Sequence, residues 1–408
     1  MKTTTTYFFA KLSAISAVIL LFTITACQKE DCSGPKPHES TDVSADGQNG
    51  QIIPGKYIVV FKKSAIDNSR LSSNLTYAEK NQLVRNEANA MLSLNNVSAD
   101  AIGATYNKTV LGFSATLSVQ QMETLKSDAR VEYIEPDRIV ALGKPGSGGT
   151  TQPVQKTPYG ITRVGSADGT GKKAWIIDTG IDLDHPDLNV DVTRSISFLT
   201  SGPSYTSPND GNGHGTHVAG TIAAKNNAIG VVGVAANATV IAVRVLNNQG
   251  SGSTSGVIAG IDYVAAHAAV GDVANMSLGG GISITLDNAV IAAASNGILF
   301  ALAAGNESDD ANNHSPARAN GTNVFTVSAM DVTDKWAYFS NYGTAVDYCA
   351  PGVNIYSTWK DAQYNTISGT SMATPHLAGI LLITGGLPTT SGYVIGDPDG
   401  NADPIAHL

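Results

Sequence analysis

The chain predicts an α/β fold, a mostly parallel sheet with helices on both faces, preceded by a small α+β domain. Three observations carry that expectation. The runs 174–177, 273–276 and 298–304 are apolar without alternation, the pattern of strands buried on both faces of a parallel sheet. Small and apolar residues recur at helical spacing after two glycine-rich turns: Val218, Ala219, Ile222 and Ala223 follow one, and Met372, Pro375, Leu377 and Ala378 the other. Richness in glycine, with only 6% aromatic residues, suits helices packed closely on a sheet. With 408 residues, 42% of them hydrophobic, the chain can bury a large core and holds more than one domain. A formal charge of -9 argues against a nucleic-acid partner.

The first residues read as an export address. Lys2 and Lys11 precede an apolar stretch, residues 12–25, that is too short for a comfortable spanning helix, so residues 1–26 read as a secretory signal. Ile24-Thr25-Ala26-Cys27 resembles the bacterial lipobox. That resemblance implies lipidation of Cys27 and a membrane anchor on the precursor. Gln28-Lys29-Glu30-Asp31 is similar to an export signal on surface lipoproteins of some Gram-negative bacteria, which implies an outer-membrane or cell-surface precursor. Residues 27–51 then form a flexible tether. Cys32 lies in that tether and Cys349 reads as a small core residue, so no disulfide is expected between them.

A compact α+β unit follows over residues 52–140. Tyr57-Ile58-Val59-Val60-Phe61 reads as a strand, 77–94 as a helix and 112–117 as a second strand region. Ser118 and Gln121 make a capping box for a short helix, and 131–134 reads as a closing strand. A linker rich in Gly, Ser and Thr, residues 141–156, leads to the larger domain, 157–408.

Three short segments of that domain each place a reactive side chain among glycines: Asp178 in WIIDTGID, His214 in GHGTHVAG and Ser371 in SGTSMATPHLAG. An acid, a base and a nucleophile together point to a Ser-His-Asp hydrolase, because a serine hydroxyl attacks at neutral pH only when an imidazole takes its proton and a carboxylate holds that imidazole. Asp178 should sit at the carboxyl end of a buried strand, and His214 and Ser371 should each open a helix. Proline is tolerable only in a first turn, so Pro375 requires that helix to begin near Ser371. His217 and His376 read as packing residues. The chain has no HExxH or CxxC spacing, so catalytic zinc is not expected.

At these residues the chain resembles the subtilisin-like serine proteases. The resemblance implies a subtilisin-like sheet and a self-processing serine endopeptidase acting on polypeptides through an acyl-enzyme. It places the oxyanion-stabilising amide at Asn306, after strand 298–304, with the Ser371 N–H as second donor. Ser277, Leu278 and Gly279 resemble one substrate-pairing edge, and Gly250, Ser251 and Gly252 the opposite one. Ala303, Ala304 and Gly305 would line the primary pocket, with His314 near its floor. Asp187 with Lys225, Asn227, Ile229 and Val231 resembles a structural calcium site, and Asp347 a weaker one.

Residues 52–140 resemble the family's ferredoxin-like inhibitory propeptide, so the chain's own propeptide is an expected partner, with processing within about residues 138–157. Many relatives carry further helices after the Ser371 helix, where this chain has a polar tail. Two rival classes remain to weigh. A catalytically silent surface lipoprotein would use the same domain for binding. An α/β-hydrolase esterase fails on residue order and lacks Gly-x-Ser-x-Gly around Ser371.

Overall fold

Neighbouring residues on the central strands face opposite ways. In Lys173–Asp178, Ala174 and Ile176 join one hydrophobic cluster while Trp175 and Ile177 join another, and Thr239–Arg244 divides likewise. Helices His214–Ala223 and Thr370–Thr384 cover the first cluster, and Thr254–His267 and Ile284–Ala294 the second. Each strand is thus buried on both faces, which is why its sequence reads as an unbroken apolar run. The computed structural model describes residues 48–71, 74–143 and 152–408, all within one compact unit. Cys27, Cys32 and linker residues 144–151 lie outside the described residues. Among the described residues, no helix is long and apolar enough to cross a membrane.

The strands run in the order Tyr348–Pro351, Val324–Met330, Leu299–Ala303, Val273–Met276, Lys173–Asp178, Thr239–Arg244 and Asn189–Val190, every neighbouring pair parallel. Lys173–Asp178 is the first of these in the chain and lies between two later ones, so the winding departs from it in both directions. In open α/β sheets that switch point opens a crevice at the carboxyl ends of the strands. Asp178 is the last residue of this strand.

The C-terminal polar tail does more than the sequence suggests. The Ser371 helix ends at Gly385, in the left-handed region at φ 73°, and Thr389–Tyr393 and Pro404–His407 then form an antiparallel hairpin. It extends the sheet edge through a parallel pairing of Ile405 with Cys349. Cys349 is buried and free. Pro375 also departs from expectation, because it is the sixth residue of Thr370–Thr384 and not in its first turn. An interior proline leaves the carbonyl four residues back unpaired. Here that carbonyl belongs to Ser371, and the Ser277 hydroxyl donates to it at 2.8 Å.

The N-terminal domain follows a βαββαβ order: Ile52–Phe61, Tyr77–Leu94, Ile102–Tyr106, Gly112–Thr116, Val119–Lys126 and Val131–Ala141. Both of its longer helices carry a capping box, Thr76 with Glu79 and Ser118 with Gln121. Its sheet is antiparallel and gains a fifth strand, Ser251–Ser253, from the larger domain. Carboxylates fix the rest of the contact. Asp137 accepts the Ser255 N–H at 2.9 Å in the first turn of Thr254–His267, and Glu135 accepts the hydroxyl of Ser283, the N-cap of Ile284–Ala294. In the other direction, buried Asp262 accepts the N–H groups of Asn107, Lys108 and Thr109 at 3.1, 2.7 and 2.7 Å.

Replacing Asp262 with Asn puts an NH₂ group among three backbone donors. Leaving such donors unpaired costs about 2 kcal/mol or more, roughly 30-fold in the docking equilibrium. Amide hydrogen exchange over residues 102–116 is expected to accelerate in Asp262→Asn by at least that factor, with residues 324–330 unaffected.

Candidate active site

The strand ending at Asp178 and the helix opening at His214 meet backbone to backbone. A Cβ at Gly215 would stand 2.1 Å from the Gly180 carbonyl oxygen, so only glycine permits this approach. The contact brings His214 Nδ1 to 2.8 and 2.9 Å from the two Asp178 oxygens, with Asp178 fully buried and His214 nearly so. Asp178 also accepts the Thr179 N–H at 2.7 Å. Burial works against the imidazolium, but the Asp178 charge and hydrogen bond, with Asp210 adding to them, outweigh it, so His214 holds its proton above the ordinary histidine pKa.

Asp210 was not singled out from the sequence. Its two oxygens accept from the Thr179 hydroxyl, the N–H groups of Asn212, Gly213 and Thr216, and the Thr216 hydroxyl, so one carboxylate ties the Asp178 loop to the His214 helix. The signal was local: an aspartate four residues before His214, in Asp210-Gly211-Asn212-Gly213, has the composition of a turn anchor.

Ser371 lies in the first turn of its helix, whose N-cap, Gly369, provides no side-chain cap. The Ser371 hydroxyl donates to the Ser277 carbonyl at 3.0 Å, not to His214. Asn306 follows the strand Leu299–Ala303. Its Oδ1 accepts the Thr370 N–H at 2.8 Å and the Thr370 hydroxyl at 3.0 Å, which leaves Nδ2, the donor end, for the cavity it lines. Thr370 and Asn341 are further residues missed by sequence reasoning. Asn341 holds the 304–309 loop by donating to the Ala304 carbonyl and accepting the N–H groups of Glu307 and Asp309.

A cavity of about 270 Å³ opens beside Ser371 and Asn306. Ala303, Ala304, Gly305 and His314 line it, with Leu278 and Gly279 from the expected pairing edge and Ala141, Leu142 and Gly143 from the N-terminal domain. The Gly250–Gly252 edge is already paired: Ser251 faces Ala141, Gly252 faces Val140, and the Leu142 N–H donates to the Gly250 carbonyl at 2.9 Å. On the opposite side the bridge to Val140 falls at Gly280, one residue beyond the expected Ser277–Gly279 segment.

His217 and His376 stay out of this centre. The ring of His217 donates to the Ile355 carbonyl and that of His376 to the Met372 carbonyl. Burial lowers their pKa values to about 3 and about 4.

Asp187, Lys225, Asn227, Ile229 and Val231 do converge, with Asp187 as acceptor for two of them and the Asn227 and Lys225 oxygens accepting in turn. Asp187 Oδ1 accepts Asn227 Nδ2 at 2.7 Å, and Oδ2 accepts the Val231 N–H at 3.0 Å and the Tyr364 hydroxyl at 3.2 Å. The Asn227 oxygen is held by the Ile229 N–H, and the Lys225 carbonyl accepts Gln155 Nε2. Burial raises the Asp187 pKa to about 6. Calcium needs converging oxygen lone pairs, whereas three protein donors occupy the approach to this carboxylate. In this structure these residues form a hydrogen-bonded clasp around Asp187. Asp347 likewise spends one oxygen on the Thr326 N–H. Among the described residues, no group of three or more His, Cys, Asp or Glu could hold a metal ion.

A buried Asp–His pair at the sheet crevice, and a serine that opens a helix beside a strand-lined groove, mark the class as a subtilisin-like serine hydrolase on a parallel α/β sheet. Residues 169–388 match the Subtilase family and residues 56–143 match Peptidase inhibitor I9. The chain belongs to the subtilase family. It is 42% identical over 340 residues to alkaline serine exoprotease A of Vibrio alginolyticus, covering 80% of this chain and 60% of that protein. It is 40% identical over 333 residues to the subtilisin-like serine protease AsES of Sarocladium strictum, covering 74% and 81% respectively. The crystal structure of a cold adapted subtilisin-like serine proteinase superposes with a TM-score of 0.55 at 39% identity, covering 61% of this chain and 97% of that one. The chain therefore spans less than two thirds of the Vibrio relative's length. Subtilases commonly bind structural calcium.

The two buried histidines make a stability prediction. An unfolded histidine titrates near 6.5, while His217 and His376 stay neutral in the fold to about 3 and 4. The unfolded chain thus binds more protons below about pH 6.5, so the stability these groups contribute is complete above that pH and falls as pH drops, by about 1.4 kcal/mol per unit per histidine. Buried carboxylates such as Asp187 and Asp403, raised to about 6 and about 7, act in the opposite sense, so the histidine part is read as a difference. Between pH 6.5 and 4.5, His376→Met is expected to lose less unfolding free energy in urea than the parent chain; parallel curves would show that His376 does not couple to folding.

Proposed function

We propose that the chain is the precursor of a secreted serine endopeptidase. In this reading Asp178, His214 and Ser371 form the catalytic triad, Asn306 with the Ser371 N–H stabilises the oxyanion, and residues 52–140 are its inhibitory propeptide. The observation that carries the proposal is the strand Val131–Ala141, which lies in the groove as a peptide substrate would, between the Gly250–Gly252 edge and Gly280, and leads to Ser371. Backbone pairing supplies affinity with little demand on side chains, so cleavage is broad. The alanine-lined cavity takes a large apolar side chain next to the cut bond.

Catalysis needs the Ser371 hydroxyl to leave the Ser277 carbonyl and turn to His214 Nε2. His214 then takes the proton during attack and returns it to the departing amine, while Asp178 stabilises the imidazolium. The Asn306 amide is pre-set, because Thr370 has claimed its oxygen.

A fluorophosphonate probe is expected to label the processed enzyme and to leave Ser371→Ala unlabelled. Failure to label would favour the silent-lipoprotein reading. Asn306→Ala should lower turnover by about 10² to 10³, the loss known for the equivalent amide in subtilisin. Because neutral His214 is the base and its pKa is raised, kcat/KM should fall as pH drops through a value above about 6.5, and Asp178→Asn should move that limb downward.

The order of parts has a consequence for location. Cys27 lies upstream of the propeptide, so processing severs the covalent link between lipid and protease domain. An outer-membrane or cell-surface precursor would then release a soluble enzyme. Mass analysis of the mature fragment is expected to show no lipid; a lipid-bearing catalytic fragment would refute this order of events.

A further inference from the structure

We infer that self-processing occurs at the peptide bond on the carboxyl side of Gly143. The inference rests on the endopeptidase reading above and narrows it to one bond. Register fixes the position. Ile139, Val140 and Ala141 pair antiparallel with Ser253, Gly252 and Ser251, and the Leu142 N–H makes the next bond, to the Gly250 carbonyl at 2.9 Å. Side chains alternate along such a strand, so Val140 and Leu142 point the same way, and both are buried in the hydrophobic cluster of the Thr254–His267 face. Gly143 is next, and with Ser371 and Asn306 it lines the 270 Å³ cavity.

Among the described residues, bonds on either side are held by other partners. Those before Leu142 lie within the paired strand, on the approach to the crevice. Those near Thr157 are held elsewhere, because the N–H groups of Gln155 and Lys156 donate to the carbonyls of Ala228 and Gly230, and Val154 pairs with Ile229. The chemistry at Gly143 balances without further reagents. Ser371 Oγ bonds to the Gly143 carbonyl carbon while its proton moves to His214 Nε2. The C–N bond breaks as that proton passes to the departing amine. Water then hydrolyses the ester, leaving the Gly143 carboxylate and a free Ser371 hydroxyl.

Gly143 brings no side chain to the pocket. A Cβ built there meets nothing within 4 Å, and its φ is not in the left-handed region. The processing site therefore leaves unused the very pocket that selects a large apolar residue in other substrates, and substitution there is sterically free.

The test is the intact mass of fragments from the full precursor, sampled at early times, for the parent chain, Ser371→Ala and Gly143→Phe. An N-terminal fragment ending at Gly143 in the parent, absent from Ser371→Ala, supports the inference; this end is unaffected by later trimming of the mature chain. Gly143→Phe should be cut at the same bond, with its N-terminal fragment retained by the protease at least tenfold more tightly. A Ser371-dependent cut at another bond overturns the inference and leaves the endopeptidase reading standing. Equal cutting of the parent chain and Ser371→Ala, or none in either, overturns both.

Discussion

The buried Asp178–His214 pair constrains everything around it. A carboxylate with no solvent contact is tolerated only when its lone pairs are taken, and removing one partner of such a pair costs about 3–5 kcal/mol. Here the partners are the His214 ring and the Thr179 N–H, and their positions follow from the backbone contact between Gly180 and Gly215. Asp210 then locks the same two segments from the other side. Strand Lys173–Asp178 must end where it does and helix His214–Ala223 must begin where it does, or a buried charge is left alone. The winding brings those two ends together at the sheet's switch point.

A second layer of charge logic joins the two domains. The N-terminal domain offers Glu135 and Asp137 to the starts of two helices, whose unpaired N–H groups and dipoles favour anions. The larger domain returns Asp262 to three consecutive amides. Asp137 and Asp262 accept backbone N–H groups, while Glu135 and Asp137 also take the hydroxyls of Ser283 and Ser255, a pairing that draws on backbone and side chain together. It also ties docking to protonation, since burial raises the pKa of Asp137 and Asp262, so ionising either group works against its burial.

Much of this was legible in the sequence, for definable reasons. The central strands announced themselves because burial on both faces removes alternation. The helix Tyr77–Leu94 was found at its observed bounds, and in the structure Thr76 and Glu79 cap its start locally. What escaped depended on partners distant in the chain. Strand Ile102–Tyr106 has little pattern of its own and forms by pairing with Gly112–Thr116. The C-terminal hairpin read as a polar tail because its burial comes from the sheet edge at Cys349. Pro375 read as a first-turn residue because no local rule says that Ser277 will satisfy the carbonyl it frees. At Asp187 the residues were brought together as expected, but whether their hydrogens or lone pairs face inward is a matter of orientation that residue types do not encode.

The absence of a side chain at Gly143 separates two functions that a protease precursor must combine. If the propeptide were held through the specificity pocket, its affinity would rise and fall with the enzyme's preference among substrates. Instead the hold is spread over the strand pairing, two helix starts and the Asp262 amides. The pocket is then free to be shaped for substrates alone. A bound product ending in Gly143 is also the easier one to lose, because no terminal side chain anchors it in the pocket. Latency in this architecture is a property of the docking face, and specificity a property of the cavity.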